Sequence, residues 1–503
     1  MKGSSYHSMG VASDDEMVGI MNGKSSYHSI IPDVKAEAKA DNITEKTPSS
    51  DLPARDRKRF CRRHKSFVSG IILGVFLAWA RTLYEDVRLI MSIFQSSIPS
   101  KTHNPKLHTL NTLLHLNSQN RTIVSIGPRP YFLINEMDNS NPELKSTMQK
   151  CALNMKSFRP SDFVLGHRGA ALQFPEHTDR SHDAATRMGA GIVECDINLT
   201  KDKQLICRHE RCDLHLTTNV LMTPLASKCT QPFHPAIGNL PATAKCCTTD
   251  FTLSEIQNQM CGRMSSSNKR AKTPQQYISH TPSFQTDLYA HDCPHIQSHK
   301  NFIDVVNANG GSFSPEYKML DYKFTKQYTR QMFLKQVLDD YNHTDPSRVY
   351  FQGFEWADLY HVAKTPFGLN TFALDKNWLA LTYTKHQMQQ YLQPLVDHGV
   401  TAVAPSISML LEVDKENNLV PTLYAKVAKE LGLGIVAWTL ERSDALSKGG
   451  GWYYSTLSQV LRTDSDVIKV LDVLYEDVGI MAIWTDWPSV ATFYANCKGI
   501  LLR

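Results

Sequence analysis

The sequence predicts a closed (β/α)8 barrel with a Cys-rich insertion after its second strand. Three observations predict it. From residue 163 onward, short apolar or β-branched runs recur, each followed by a helical pattern, and eight such units close into a barrel of parallel strands. Polar residues gather at the carboxyl ends of these runs, where barrels of this kind keep their chemistry. The gap from 197 to 311 is too long for one crossover, and it holds most of the cysteines.

The runs are FVLGH (163–167), GIVECD (191–196), SFSPEYK (312–318), RVYFQGF (348–354), NTFALD (370–375), TAVAPS (401–406), GIVAWTL (434–440) and IMAIWTDW (480–487). A helical stretch around His182–Met188 separates the first two. Another, Leu423–Leu431, is followed by Gly432, a residue suited to ending a helix. The barrel is expected over 161–498, with the insertion at about 212–300. Large barrels routinely exceed 200 residues as one unit, so the chain's 503 residues do not require three domains.

The amino-terminal third reads differently. Residues 1–66 are rich in Ser, Lys and Asp without apolar periodicity, as in a disordered tail. They end in the basic cluster RDRKRFCRRHK (55–65). The apolar run FVSGIILGVFLAWA (67–80) follows. Extended to Tyr84, it approaches the ~20 residues a span needs, with Arg81 reaching to the interface. The expectation is a signal-anchor at 67–84. By the positive-inside rule it makes a single-pass type II membrane protein with an extracellular or lumenal catalytic domain. A cleaved signal, giving a secreted protein, and a buried core helix are the competing readings. Residues 85–160 read as a polar stem.

Of 11 cysteines only Cys61 precedes the apolar run, which leaves an even set beyond it. Cys207, Cys212, Cys229, Cys246, Cys247, Cys261 and Cys293 crowd one stretch in no usual zinc spacing, so a disulfide-stapled insertion is expected. The triplets at Asn120, Asn198 and Asn342 match the glycan-acceptor pattern. A formal net charge of +5 with no basic face in the folded part excludes a nucleic-acid partner. A mean hydropathy of −0.32 excludes a multi-pass membrane protein.

The strand ends read His167-Arg168, Glu194-x-Asp196, Glu316-x-Lys318, Trp438-Thr439 and Asp486. The strand period of two turns Glu194 and Asp196 to one face and Cys195 to the other. Two such carboxylates repel unless a cation lies between them, and Glu316 on the next barrel strand offers a third. An all-oxygen set suits Ca²⁺ or Mg²⁺. The alternative is a salt-bridge network with Arg168 and Lys318. Two histidines, His167 and His209 (in QLICRHE, 204–210), together with a cation and an Arg suit phosphoryl transfer.

GHRGA (166–170), FPEHT (174–178), ECDINLTKDKQLICRHE (194–210), SPEYK (314–318), AWTLERSD (437–444) and WTDWP (484–488), in this order, resemble the glycerophosphodiester phosphodiesterase family. The P-E-H-T form and the long insertion resemble its long, periplasmic bacterial branch. The resemblance implies His167 and His209 as the acid/base pair, and Glu194, Asp196 and Glu316 as ligands of Ca²⁺ or Mg²⁺. It implies Arg168 and Lys318 as phosphate-binding residues, Glu176 as a residue that orders the site, and Trp438 beside the glycerol moiety. The implied reaction is hydrolysis of deacylated phospholipids to sn-glycerol 3-phosphate and an alcohol. Glu210 departs from the family's usual Asp. A lysophospholipase D activity on membrane lipids and a non-catalytic binding barrel are the alternatives.

Overall fold

The computed structural model describes residues 123–500 apart from Ser265, His291 and 320–327. The barrel strands are β1 (Ser161–Gly166), β2 (Ala190–Leu199), β3 (Ser312–Tyr317), β4 (Phe351–Gly353), β5 (Thr371–Asp375), β6 (Ala402–Pro405), β7 (Gly434–Leu440) and β8 (Ala482–Thr485). Each pairs in parallel with the next, and β1 pairs with both β2 and β8, which closes the barrel. All eight expected runs supply a strand.

The helices after these strands are α1 (Asp179–Arg187), α2 (His299–Ala308), α3 (Arg330–Asp340), α4 (Trp356–Val362), α5 (Lys385–Asp397), α6 (Leu423–Glu430), α7 (Asp466–Val473) and α8 (Pro488–Cys497). Covered by helices outside and filled with side chains inside, the strands are buried on both faces; every residue of β2 is buried. Hydroxyl caps start most of the helices. Thr178, Ser298, Thr329, Thr384 and Thr422 each accept a hydrogen bond from a first-turn N–H of α1, α2, α3, α5 and α6. Gly432 ends α6 at φ +74°, a left-handed conformation that glycine adopts without strain.

Between β2 and α2 lies the insertion. The short strand Leu205–Cys207 returns antiparallel along β2. Beyond it, Leu214, Val220, Phe251, Ile256, Met260 and Tyr277 build a second apolar core. Disulfides Cys212–Cys247, Cys229–Cys246 and Cys261–Cys293 staple this region, and Cys195–Cys207 joins the short strand to β2. The stapled insertion is therefore present. Asn342 is exposed, whereas Asn198 is 4% exposed and its Nδ2 donates to Arg208 O.

Two helices, Arg129–Glu136 and Pro142–Asn154, precede β1. Arg129 pairs with buried Glu441 at 2.6 Å, and Cys151 is bonded to Cys497 at the end of α8.

The expected membrane span, signal-anchor and type II topology require correction. No helix among the described residues is long and apolar enough to cross a membrane. The segment 67–84, on which that expectation rested, lies outside the described residues. Its uncharged run, 67–80, is also shorter than the ~20 residues a span needs.

Cys151–Cys497 links residues 346 apart in sequence, so it restrains the unfolded chain strongly. Replacing both cysteines by Ser should lower unfolding stability by about 2–4 kcal/mol, read as a fall in the urea midpoint, with an m-value that rises as the unfolded chain expands. An unchanged midpoint would show that the link adds nothing to stability.

Candidate active site

The carboxyl ends of the strands surround an open cavity of about 800 Å³. His167, Arg168, Glu194, His209, Glu316, Lys318 and Trp438 line it; Asp196 and Glu176 lie just behind, both buried. The structure thus brings all the expected site residues into one place.

The carboxylates converge because of strand register. Glu194 and Asp196 share a face of β2, and Asp196 is the direct partner of Glu316 on β3. Ligand atoms of all three lie within 4.8 Å of one another. Glu194 accepts the Arg168 backbone N–H at 2.8 Å and Gln352 Nε2 at 2.7 Å. Asp196 Oδ2 lies 2.7 Å from His177 Nε2. Its Oδ1 is buried without a hydrogen bond, although Lys318 Nζ ion-pairs with it at 3.3 Å and with Glu316 at 2.7 Å.

Lys318, with Arg168 Nε 3.9 Å from Asp196 Oδ2, does not balance three carboxylates. Burial and then the neighbouring Asp196 push Glu194 up to about 8. Glu316 is raised well above its ordinary range by burial and by Asp196, against the pull of Lys318. Asp196 is held well below its ordinary value, since Lys318 and His177 outweigh the effect of burial. The expected salt-bridge network and an unmet demand for positive charge therefore coexist. Buried, all-oxygen and short of positive charge, these residues fit a divalent cation.

His167 is braced from behind. Its Nδ1–H donates to Asp486 Oδ1 at 2.7 Å, and Asp486 Oδ2 accepts from Arg442 at 3.2 Å. This leaves Nε2 facing the cavity, 3.8 Å from Glu194. Burial pulls His167 down to about 4, although Asp486 opposes that shift. His209 is also well below its ordinary value, through burial and then Arg168 and Lys318. Its Nδ1 lies 3.5 Å from Glu210.

Glu176 is the hub of a buried arginine cluster, with Arg168 at 3.0 Å, Arg208 at 3.3 Å and Arg442 at 3.7 Å. These arginines overcome burial and keep it ionised. Arg168 itself has φ +56°, and the turn continues through Gly169, where a Cβ would lie 2.4 Å from Ser181 Oγ. The His-Arg-Gly run is thus fixed sterically as well as chemically. Trp438 forms part of the cavity wall, its Nε1 donating to Ala404 O at 2.7 Å and its ring stacked on Trp452.

Sequence reasoning noted Asp486 as a strand end but gave it no role, and it missed Gln352, His177, Arg208 and Arg442. Gln352 did carry a signal, being a polar residue inside the apolar run RVYFQGF.

The glycerophosphoryl diester phosphodiesterase family model matches residues 167–490. The chain belongs to this family. An "extracellular protein" of Arthroderma benhamiae is 34% identical over 239 residues, which is 46% of this chain and 97% of that protein. A glycerophosphodiester phosphodiesterase of Haemophilus influenzae is 23% identical over 364 residues, 67% of this chain and 90% of that one. The solved glycerophosphodiester phosphodiesterase of Agrobacterium tumefaciens is similar at 12% identity and TM-score 0.38, covering 66% of this chain and 98% of that chain. With its family and barrel established, the chain is a glycerophosphodiester phosphodiesterase enzyme.

With a pKa of about 8, Glu194 is largely protonated at neutral pH when no cation is bound. A cation must displace that proton, so binding should release protons and should tighten from pH 6 to pH 8. Calorimetry in two buffers of different ionisation enthalpy measures the release. Cation binding without proton release, or undiminished in Glu194→Gln, would remove this carboxylate from the site.

Proposed function

We propose that the enzyme hydrolyses glycerophosphodiesters, the deacylated phospholipids, to sn-glycerol 3-phosphate and an alcohol, in the manner of the family's long, periplasmic-type branch. One observation carries the reading: two imidazoles face the cavity that also holds three buried carboxylates and the cations of Arg168 and Lys318. Its P-E-H-T sequence and long insertion support the branch.

Glu194, Asp196 and Glu316 would hold Ca²⁺ or Mg²⁺. Such an ion supplies positive charge beside the phosphate. Arg168 and Lys318 bind phosphate oxygens and meet the charge that grows in the transition state. Glu176 and Arg208 keep the Arg168 guanidinium in place. Trp438 packs beside the glycerol moiety.

The hydrogen bonds around the two histidines support a division of the proton roles. Asp486 takes the Nδ1 proton of His167 as its hydrogen bond, so Nε2 presents a lone pair to the cavity. With its basicity depressed, His167 is neutral at pH 7 and serves as the base. His209 is depressed partly by Arg168 and Lys318. A phosphate that neutralises these two raises His209 again, and it then protonates the leaving alcohol. The nucleophile is either water or the neighbouring glycerol hydroxyl.

Full-length enzyme with glycerophosphocholine and Ca²⁺ or Mg²⁺ should yield glycerol 3-phosphate, and EDTA should abolish this. Release of phosphocholine instead would overturn the product assignment. His167→Ala and His209→Ala should each lower kcat by at least ~10²-fold with little change in Tm. Asp486→Asn should approach the loss seen for His167→Ala, because an amide no longer fixes the tautomer. Near-native turnover in Asp486→Asn would refute its brace on His167.

A further inference from the structure

The segment that carries His209 is short, and both its ends are disulfide-bonded, in opposite directions. On one side Cys207 is joined to Cys195, which stands between Glu194 and Asp196; both cysteines are 0% exposed. On the other side Cys212 is joined to Cys247 of the insertion. Backbone bonds reinforce each side. Arg208 N–H donates to Asp196 O at 2.8 Å, Thr248 N–H to Arg211 O at 2.7 Å, and Leu214 N–H to Cys246 O at 3.1 Å. His209, Glu210, Arg211 and Cys212 line the cavity, and so does Lys245, two residues before Cys247.

The two links are not equivalent. Cys195–Cys207 reinforces an antiparallel ladder that already sets the register of Ile197 against Cys207. Cys212–Cys247 instead joins the catalytic loop to a different part of the chain, the insertion with its own apolar core.

We propose that Cys212 and Cys247 are positioning residues: through their disulfide, the insertion holds the loop so that the His209 imidazole faces the phosphate. The proposal rests on His209 as the proton donor. It gives the insertion a catalytic task. A ring displaced by about 1 Å loses on the order of 10²-fold in rate. An open link should therefore depress turnover while the carboxylates and Arg168, held by the barrel strands, still bind cation and substrate.

The insertion supplies a matched control. Cys212–Cys247 spans 35 residues and Cys261–Cys293 spans 32, so the two links restrain the unfolded chain almost equally. In the full chain, Cys212→Ser/Cys247→Ser should lower kcat about 10- to 100-fold, with KM and the half-saturating Ca²⁺ concentration unchanged. Cys261→Ser/Cys293→Ser should lose comparable melting temperature but keep its kcat. Equal kcat losses in the two, or no loss in the first, overturn the proposal.

Should the first variant fail to fold, the wild-type enzyme can be titrated with dithiothreitol. Each link opened takes two electrons and two protons from the reagent, which closes to its cyclic disulfide. Alkylation and peptide mapping then show which link has opened. Turnover should fall in step with the opening of Cys212–Cys247; turnover that survives it overturns the proposal. If the wild-type enzyme hydrolyses no glycerophosphodiester, the activity reading has failed on its own. The link is then read from the His209 imidazole resonance by NMR, which should move in the first variant and stay put in the control. A resonance unmoved in both overturns it.

Discussion

The site depends on one constraint: three carboxylates buried together at the ends of two adjacent strands. Removing a carboxylate from water costs several kcal/mol, and like charges at this range add to that cost. The surrounding residues answer the problem one by one. Lys318 bridges Asp196 and Glu316, His177 meets Asp196, and Gln352 and the Arg168 amide meet Glu194. The remainder shows as upward displacement of Glu194 and Glu316 by burial and by Asp196, while Lys318 and His177 hold Asp196 down. A divalent cation bound there would meet the remaining negative charge and supply one that is also useful to a phosphate.

Around Glu176 the imbalance has the opposite sign. Three guanidinium groups converge on one carboxylate, and Arg442 is shared with Asp486. The excess positive charge lies beside the cavity, where an anion can use it. The two histidines differ for the same reason. His167 has a buried carboxylate behind it and is fixed as an acceptor toward the cavity. His209 is depressed by burial and then by the field of Arg168 and Lys318.

The barrel was legible because its strands are buried on both faces and therefore read as apolar runs with polar ends. Glu194 and Asp196 were legible through the period of two, and Glu316 through its position on the following barrel strand. What spacing could not show was partnership between distant segments. Asp486 meets His167 only because β8 closes on β1, and Arg442 reaches Asp486 from the end of β7. Disulfide pairing was hidden for the same reason: Cys151 and Cys497 are neighbours in space because the helix Pro142–Asn154 packs on α8, with no local mark in sequence. The membrane reading failed differently. It built a topology on a short apolar run outside the described residues, whereas a helix buried within a protein shows similar apolarity at that length.

The position of the insertion follows from the path of the chain. A segment leaving β2 after Asp196 must start at the catalytic face, and it must return to α2 before β3 can pair with β2. The return leg crosses that face. Cys207 N–H donates to Gln297 O, Gln297 N–H donates to His177 O, and Ile296 bridges to Thr178. The outgoing and returning legs therefore both touch residues that hold the carboxylates, and their separation is set by whatever folds between them. A floppy excursion there would transmit its motion to His177 and His209. A segment with its own apolar core, tied to the His209 loop by Cys212–Cys247, instead supports that loop from outside the barrel.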